Sequence, residues 1–287
     1  MKAAVVSSGS PDYLIDIVTD GLIRLLGRDR VHLRYNQLST ANPMQAQLFQ
    51  GFGGQNKIDF LEANILVASV RSRIQDIEAW VKETHGGRVA VIDGEDDPVV
   101  RQPHYNVSSI YFKREFLLNV SYQAKVRPLP FAAIPEEMPQ APARDIPITF
   151  AVGITSPIRI EILKTLQEMN VGAQTSIKPK KEYNAILARS RIGVSARGAG
   201  WDTYRYWETA FFGCALLSQR MSIAIPANFV EGTEAIFFDD VGDFKRKLQG
   251  LLSDPPRALA IGKACRNACL DRHLSIHRAK TVIESAL

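Results

Sequence analysis

Cysteine is scarce in this chain: three in 287 residues, Cys214, Cys265 and Cys269. So few, and an odd number, cannot staple a fold. Stability has to come from a hydrophobic core, and the sequence fits a reducing, cytoplasmic compartment. Cys265 and Cys269 stand one helical turn apart, but no His or Cys motif accompanies them, so no metal site is expected. Long apolar runs are missing as well. Nothing approaches the roughly 20 residues that a membrane span needs. The opening MKAAVVSSGSPDYLID has one Lys, a very short apolar stretch and then a turn, which reads as a buried first strand and not as a signal peptide. There are no internal repeats and no low-complexity tracts. Nor is charge of one sign concentrated. Thirty-five basic and 30 acidic residues leave a net +5, a mild excess that could serve a phosphate-bearing ligand, an anionic lipid or a nucleic acid. The one small basic cluster, Lys178, Lys180 and Lys181, reads as a solvated turn.

What is present is a globular composition, 46% hydrophobic and 23% charged, on a chain long enough for two ordinary domains. Apolar strands alternate with helices through the first half. Strands are expected at Lys2 to Ser7, Val31 to Tyr35, Ile65 to Ser69, Arg88 to Asp93 and Ser108 to Lys113. Pro11 to Leu26 has helical spacing in Leu14, Ile17, Val18, Leu22 and Leu25, and a second helix is expected near Arg73 to Glu83. Such interleaving argues for a parallel sheet covered on both faces. Ser39 to Lys57 has little pattern and reads as a long loop, a place where function often sits. The proline-rich Arg127 to Pro147 reads as a stiff connection between domains. Beyond it the alternation resumes: strand Ile148 to Val152, helix Ile158 to Met169, a short strand near Ala173 to Ile177, and a helix near Tyr183 to Arg189. The domains are therefore placed at 1–130 and 148–287, with a linker at 131–147.

The segment from Ser190 to Arg220 is the most informative. It reads as a strand (Ile192 to Ser195), a glycine-bearing loop (Arg197 to Gly200), a helix (Thr203 to Phe212) ended by Gly213, and another strand (Ala215 to Ser218). Asp202 is a suitable helix N-cap. A helix N-terminus behind a glycine loop presents free N–H groups and a positive dipole end, which suits phosphate. Arg197 and Arg205 add forked donors. Glu208 lies three residues beyond Arg205 on the same helix face, where a carboxylate can accept from sugar hydroxyls. Phosphate and hydroxyl recognition together suggest a sugar nucleotide. The bland alternative makes Asp202 only a cap and Arg205–Glu208 an exposed ion pair. A second loop, Gly153 to Pro157, also follows a strand and opens a helix, with Ser156 as cap and Pro157 at the first helical position. Gly153, Thr155 and Arg159 there could touch a diphosphate, or form an ordinary loop beside a solvent-facing Arg.

Residues 197–208, RGAGWDTYRYWE, with Ala210 and Gly213, resemble the donor-binding motif of GT-B glycosyltransferases. The likeness is closest to the exostosin-like and spore-maturation-protein-like groups, where RG-x-G-x-D-(S/T)-x-R-(Y/F)-W-E runs into A-x-x-G and an apolar strand. It covers Pro147 to Leu287 well and the first half in outline. The resemblance implies an α/β GT-B fold: two Rossmann-like domains with mainly parallel sheets and a cleft between them. The last helix, about Ile276 to Leu287, would cross back to the first domain. It also implies a glycosyltransferase that needs no cofactor or metal and uses a nucleotide-diphosphate sugar as co-substrate. Gly153, Thr155, Arg159, Arg197, Gly198, Gly200, Asp202, Thr203, Arg205 and Glu208 would bind that donor.

The acceptor belongs to the first domain, where the acidic turn Asp93 to Pro98 ends a strand. Repulsion among its four carboxylates could raise one pKa and make Asp93 or Glu95 a general base; His104 is a further choice. Lys113 or Arg114 could compensate that turn or a donor phosphate. A glycan, a lipid-linked glycan, a small molecule and a nucleic acid all remain open as acceptors. A nucleic-acid-modifying glycosyltransferase, or a catalytically silent GT-B protein that binds a sugar nucleotide or scaffolds a complex, are the rival readings.

Overall fold

A computed structural model describes residues 1–7, 12–35, 58–138 and 143–286; the expected loop Ser39 to Lys57 lies outside the described residues. The chain divides into two compact units, Met1–Ile134 with Leu274–Leu287, and Pro135–His273.

The first unit holds strands β1 (Ala3–Ser7), β2 (Val31–Tyr35), β3 (Ile65–Ser69), β4 (Arg88–Asp93), β5 (Ile110–Lys113) and β6 (Val126–Pro128) in one sheet of order β2-β1-β3-β4-β5-β6. Every neighbouring pair is parallel. Apolar runs such as AAVV and ILVA suit strands that have helices on both faces. Helix α1 (Tyr13–Leu26) starts at Asp12, whose carboxylate accepts from the N–H groups of Leu14 (3.1 Å) and Ile15 (3.3 Å). Helix α2 (Ile74–Glu83) lays Ile77 and Trp80 on the sheet face that carries Ala4, Val6, Leu66, Ala68, Val89 and Val91. A short helix, α3 (Gln102–Val107), follows β4.

The second unit has a four-stranded sheet, all parallel, of order β10-β9-β8-β7: β7 (Ile146–Thr149), β8 (Ser190–Ser195), β9 (Ala215–Gln219) and β10 (Ile236–Phe238). Helices α4 (Pro157–Met169), α5 (Lys180–Arg189), α6 (Tyr204–Phe211), α7 (Val241–Ser253) and α8 (Pro255–Arg272) alternate with it. The core joins Phe150, Ile162, Leu166, Val194, Leu217, Phe244 and Leu248. Gly193 in β8 has no side chain where Thr209 of α6 presses against the strand, so this helix sits close on the sheet. Gly213 ends α6 in the left-handed region, at φ +72°.

Three sequence expectations are corrected. The strand near Ala173 to Ile177 is a single bridge: Gln174 exchanges 2.9 Å hydrogen bonds with Ile148 and Phe150. The chain enters this bridge from Gly172, whose φ is +65°. Arg127 and Pro128 belong to edge strand β6, where the missing proline N–H is harmless, so the first unit runs to Ile134. The second unit stops at His273 and not Leu287, because helix α9 (Ser275–Ala286) joins the first unit. Gly21 of α1 makes room for the Ser275 carbonyl. Ser275 donates to Asp20 at 2.5 Å, and the buried Arg278 donates to the carbonyls of Pro130 and Phe131, each at 2.9 Å. The return of the last helix to the first unit is as the sequence reading had it.

Candidate functional site

In the second unit, β7 and β8 are parallel neighbours, so the loops leaving their carboxyl ends lie side by side. Arg159, in the first turn of α4, is buried and ties them together. Its Nη1 donates to the Gly153 carbonyl (2.8 Å) and the Thr155 hydroxyl (2.9 Å), and its Nη2 to the Ala196 carbonyl (3.1 Å). Ser156 occupies the cap position of α4, but its hydroxyl crosses to the Arg197 carbonyl at 2.6 Å. The Arg197 N–H in turn donates to Gln219 Oε1 of β9 (3.0 Å). A side chain at Gly198 would come within 2.9 Å of the Arg159 guanidinium; the glycine lets the loop pass over it, closed by Gly198 N–H on the Gly200 carbonyl (2.9 Å).

Arg205 sits in the first turn of α6 and donates to the Ala151 carbonyl, with its guanidinium 5.7 Å from the Tyr183 ring. The Arg197 guanidinium lies 4.7 Å over Trp201. Among the described residues, the guanidinium groups of Arg159 and Arg205 have carbonyl, hydroxyl or ring partners, that of Arg197 has the Trp201 ring, and none has a carboxylate. Burial, and secondarily the charge of Arg205, pull the Arg159 pKa down to about 10. A buried guanidinium without a counter-charge is costly, and an anion arriving here would relieve that cost.

One expectation in this motif needs correction, and the bland alternative beside it fails too. Asp202 is not the N-cap of α6. The helix starts one residue later, with Thr203 in the cap position, and buried Asp202 turns inward to accept from the Trp207 indole at 2.8 Å. The Thr203 hydroxyl is 3.0 Å from Ser195 at the end of β8. Nor does Glu208 pair with Arg205. Its partner is Lys180, at 2.6 Å, which also holds Glu136 at 2.9 Å. Burial opposes the Lys180 charge, but the two carboxylates outweigh it and raise its pKa. Sequence reading treated Lys180 as part of a solvated turn; its position opening α5 was the available signal.

In the first unit the acidic turn is not a cluster of repelling carboxylates. Fully buried Asp93 accepts from Tyr111 and pairs with Lys113 at 2.9 Å. Glu95 pairs with Arg71 at 2.6 Å, Asp96 with Arg114, and Asp97 with Arg101 at 2.6 Å. The expected upward shift is reversed at Glu95: the hydrogen bond from Arg71 outweighs burial and lowers its pKa. Glu95, Arg101, Gln102, Pro103, His104 and Val70 line an open hollow of about 620 Å³, while Asp93 lies beneath the surface. His104 Nε2 is 2.9 Å from the Ser72 carbonyl. One group escaped the sequence reading. Asp12, buried at the start of α1, also accepts from Ser69 at 2.5 Å, and burial raises its pKa.

Among the described residues no three His, Cys, Asp or Glu side chains are placed to hold a metal ion. No described helix is long and apolar enough to cross a membrane.

A family described as glycosyl transferase-like matches residues 153–284. No curated protein matches the chain. Solved structures match over almost the full length. The Anabaena protein Alr3699/HepE in complex with UDP has 10% identity and a TM-score of 0.64, with 99% of each chain covered. A Rickettsia africae glycosyltransferase has 10% identity and a TM-score of 0.61, covering 99% of this chain and 97% of that one. Sucrose-phosphate synthase from Thermosynechococcus elongatus has 12% identity and a TM-score of 0.58, covering 99% and 98%.

Proposed function

We propose that this chain, a glycosyltransferase of the GT-B fold, moves a sugar from a nucleoside-diphosphate sugar to an acceptor hydroxyl. The observation that carries the reading is the set of three arginines at the loops that leave β7 and β8, Arg159 and Arg205 bonded to loop carbonyls and Arg197 stacked on Trp201, without a carboxylate partner among the described residues. A diphosphate supplies the missing anion. As the bond from the anomeric carbon to the diphosphate oxygen breaks, its electron pair stays on that oxygen, and fixed guanidinium groups stabilise the developing charge. The backbone at Gly153, Thr155, Gly198 and Gly200 would add N–H donors. Asp202, through Trp207, and Thr203, through Ser195, set the start of α6, the helix whose positive dipole end faces the anion. Glu208, held by Lys180, would accept from a hydroxyl of the donor. No cofactor enters this scheme; the nucleotide sugar is the co-substrate. The first unit would take the acceptor at the carboxyl ends of its strands, where Asp93, Glu95 and His104 stand. Reduced cysteines fit a cytoplasmic site of action.

Binding of UDP or GDP, measured by calorimetry, tests the donor site; UDP comes first because it is bound in the Anabaena structure. Arg205→Ala should weaken the bound nucleotide by about 1.5–3 kcal/mol, the worth of a charge-assisted hydrogen bond, or roughly 10- to 150-fold in Kd. Equal affinity in a folded Arg205→Ala protein would move the anion site elsewhere.

A further inference from the structure

We propose that Lys180 is a positioning residue for the donor site: it draws Glu208 away from Arg205 and so leaves the Arg205 guanidinium for the diphosphate. The proposal rests on the glycosyltransferase reading above and concerns the second unit alone. Arg205 and Glu208 are three residues apart on one face of α6, where opposite charges ordinarily pair. Here they do not. Arg205 Nε donates to the Ala151 carbonyl, and neither of its Nη groups has a hydrogen bond among the described residues. Glu208 Oε1 accepts from Lys180 Nζ at 2.6 Å, and Oε2 accepts nothing among the described residues.

The first support is how the charges are shared. Pairing Glu136 with Lys180 and Glu208 with Arg205 would neutralise both carboxylates and both cations. The chain instead gives both carboxylates to Lys180, at 2.9 and 2.6 Å, and none to Arg205. Without the shared ammonium, Glu208 has the Arg205 guanidinium within helical reach. A guanidinium paired in that way has spent its charge before a ligand arrives, and a diphosphate would have to displace a carboxylate in order to bind.

The second support is the way α5 builds this arrangement. Lys180 and Asn184 stand at i and i+4 and hold the two oxygens of Glu136: Lys180 Nζ takes Oε1, and Asn184 Nδ2 donates to Oε2. Asn184 is buried, as is Tyr183 beside it, whose ring lies 5.7 Å from the Arg205 guanidinium. The first turn of α5 thus sets both Glu208 and Arg205. Glu136 anchors the ammonium, and the ammonium fixes Glu208.

Lys180 makes and breaks no bond in this role and need not touch the ligand. It acts on anion affinity, and it leaves Glu208 Oε2 open to a donor hydroxyl. Its signature is a suppressor. If losing Lys180 does harm because Glu208 captures Arg205, neutralising Glu208 as well undoes the harm. Neutralising Glu136 removes the same negative charge but leaves the captor in place. The two double variants keep the parent's net charge, so comparing them separates ion-pair capture from the general field.

The probe is inorganic pyrophosphate, which has no sugar hydroxyl for Glu208 to read, titrated by calorimetry beside UDP at fixed ionic strength. Lys180→Met should weaken pyrophosphate binding about 10-fold, the lower end of what a charge-assisted hydrogen bond is worth. Lys180→Met with Glu208→Gln should return to within about threefold of the parent, while Lys180→Met with Glu136→Gln stays at least about fivefold weaker. Binding by Lys180→Met within about twofold of the parent, or equal binding by the two double variants, overturns the proposal. Should the single variant not fold, the contrast between the doubles decides alone. A parent that binds neither UDP nor pyrophosphate would sink the donor reading itself; a parent that binds both, with doubles that bind alike, sinks only the role of Lys180.

Discussion

Arg159→Ala separates two effects that oppose each other in the empty protein and act together once an anion is bound. The change removes hydrogen bonds to Gly153, Thr155 and Ala196, each worth about 0.5–1.5 kcal/mol net or more for a charged donor. It also removes a buried cation whose pKa burial has already pulled down to about 10, and whose desolvation is a penalty of several kcal/mol. The two largely offset, so unfolding free energy without ligand should move by only about 1 kcal/mol. With a nucleotide the offset disappears, because the counter-charge was the use of the cation. A loss near 100-fold in UDP affinity is expected, inside the roughly 1.5–3 kcal/mol range for a charged hydrogen bond. The assay is thermal or urea unfolding with and without UDP at about 100 times the parent Kd. Ligand linkage then gives the parent about 2.7 kcal/mol of stabilisation and the variant about 0.4 kcal/mol. If Arg159→Ala instead loses several kcal/mol while empty and keeps its UDP response, Arg159 is a structural clamp and the anion argument fails.

Glu208→Gln should weaken UDP-glucose binding more than UDP binding if the carboxylate reads a sugar hydroxyl; equal losses for both would place its contact on the nucleotide. Lys180→Ala, which leaves Glu208 and Glu136 facing each other without a cation, should cost about 1–2 kcal/mol in urea unfolding, between the values for exposed and buried pairs. No change would mean that water replaces the ammonium. For Glu95 the folded-state pKa lies below its ordinary value, so its stabilising contribution is complete above about pH 4.5 and is lost as pH falls through the folded value. Glu95→Gln should therefore be less stable than the parent at pH 7 and show a shallower loss on acidification. Parallel curves would contradict the pairing with Arg71.

Local pattern made much of the fold legible. The buried parallel strands are continuous apolar runs, and α1 shows its period in Leu14, Ile17, Val18 and Leu22. The glycine loop and the two arginines of residues 197–205 could be read because their spacing reflects a strand, a turn and a helix start. Long-range commitments were not legible. Whether Glu208 meets Arg205 or Lys180 depends on α5, 28 residues away in sequence. The four acids at 93–97 look repulsive until Arg71, Arg101, Lys113 and Arg114 are brought to them by three other elements. Asp202 satisfies every local rule for a cap, and the buried indole of Trp207 overrides them. Helix α8 went unread although Asp254-Pro255-Pro256 opens it with a cap and prolines; the Asp254 carboxylate accepts from Arg257 N–H at 3.0 Å.

The return of α9 to α1 has a consequence for how the chain is made. Residues 135–273 form an uninterrupted unit that can complete its contacts as soon as it leaves the ribosome. The first unit cannot. The groove along α1 stays open until Ser275 and Arg278 arrive, some 250 residues after Gly21, and closing so long a loop carries its own entropic cost. The part of the protein synthesised first is therefore finished last, and a nascent chain arrested before residue 274 would leave α1 exposed although residues 135–273 had already folded.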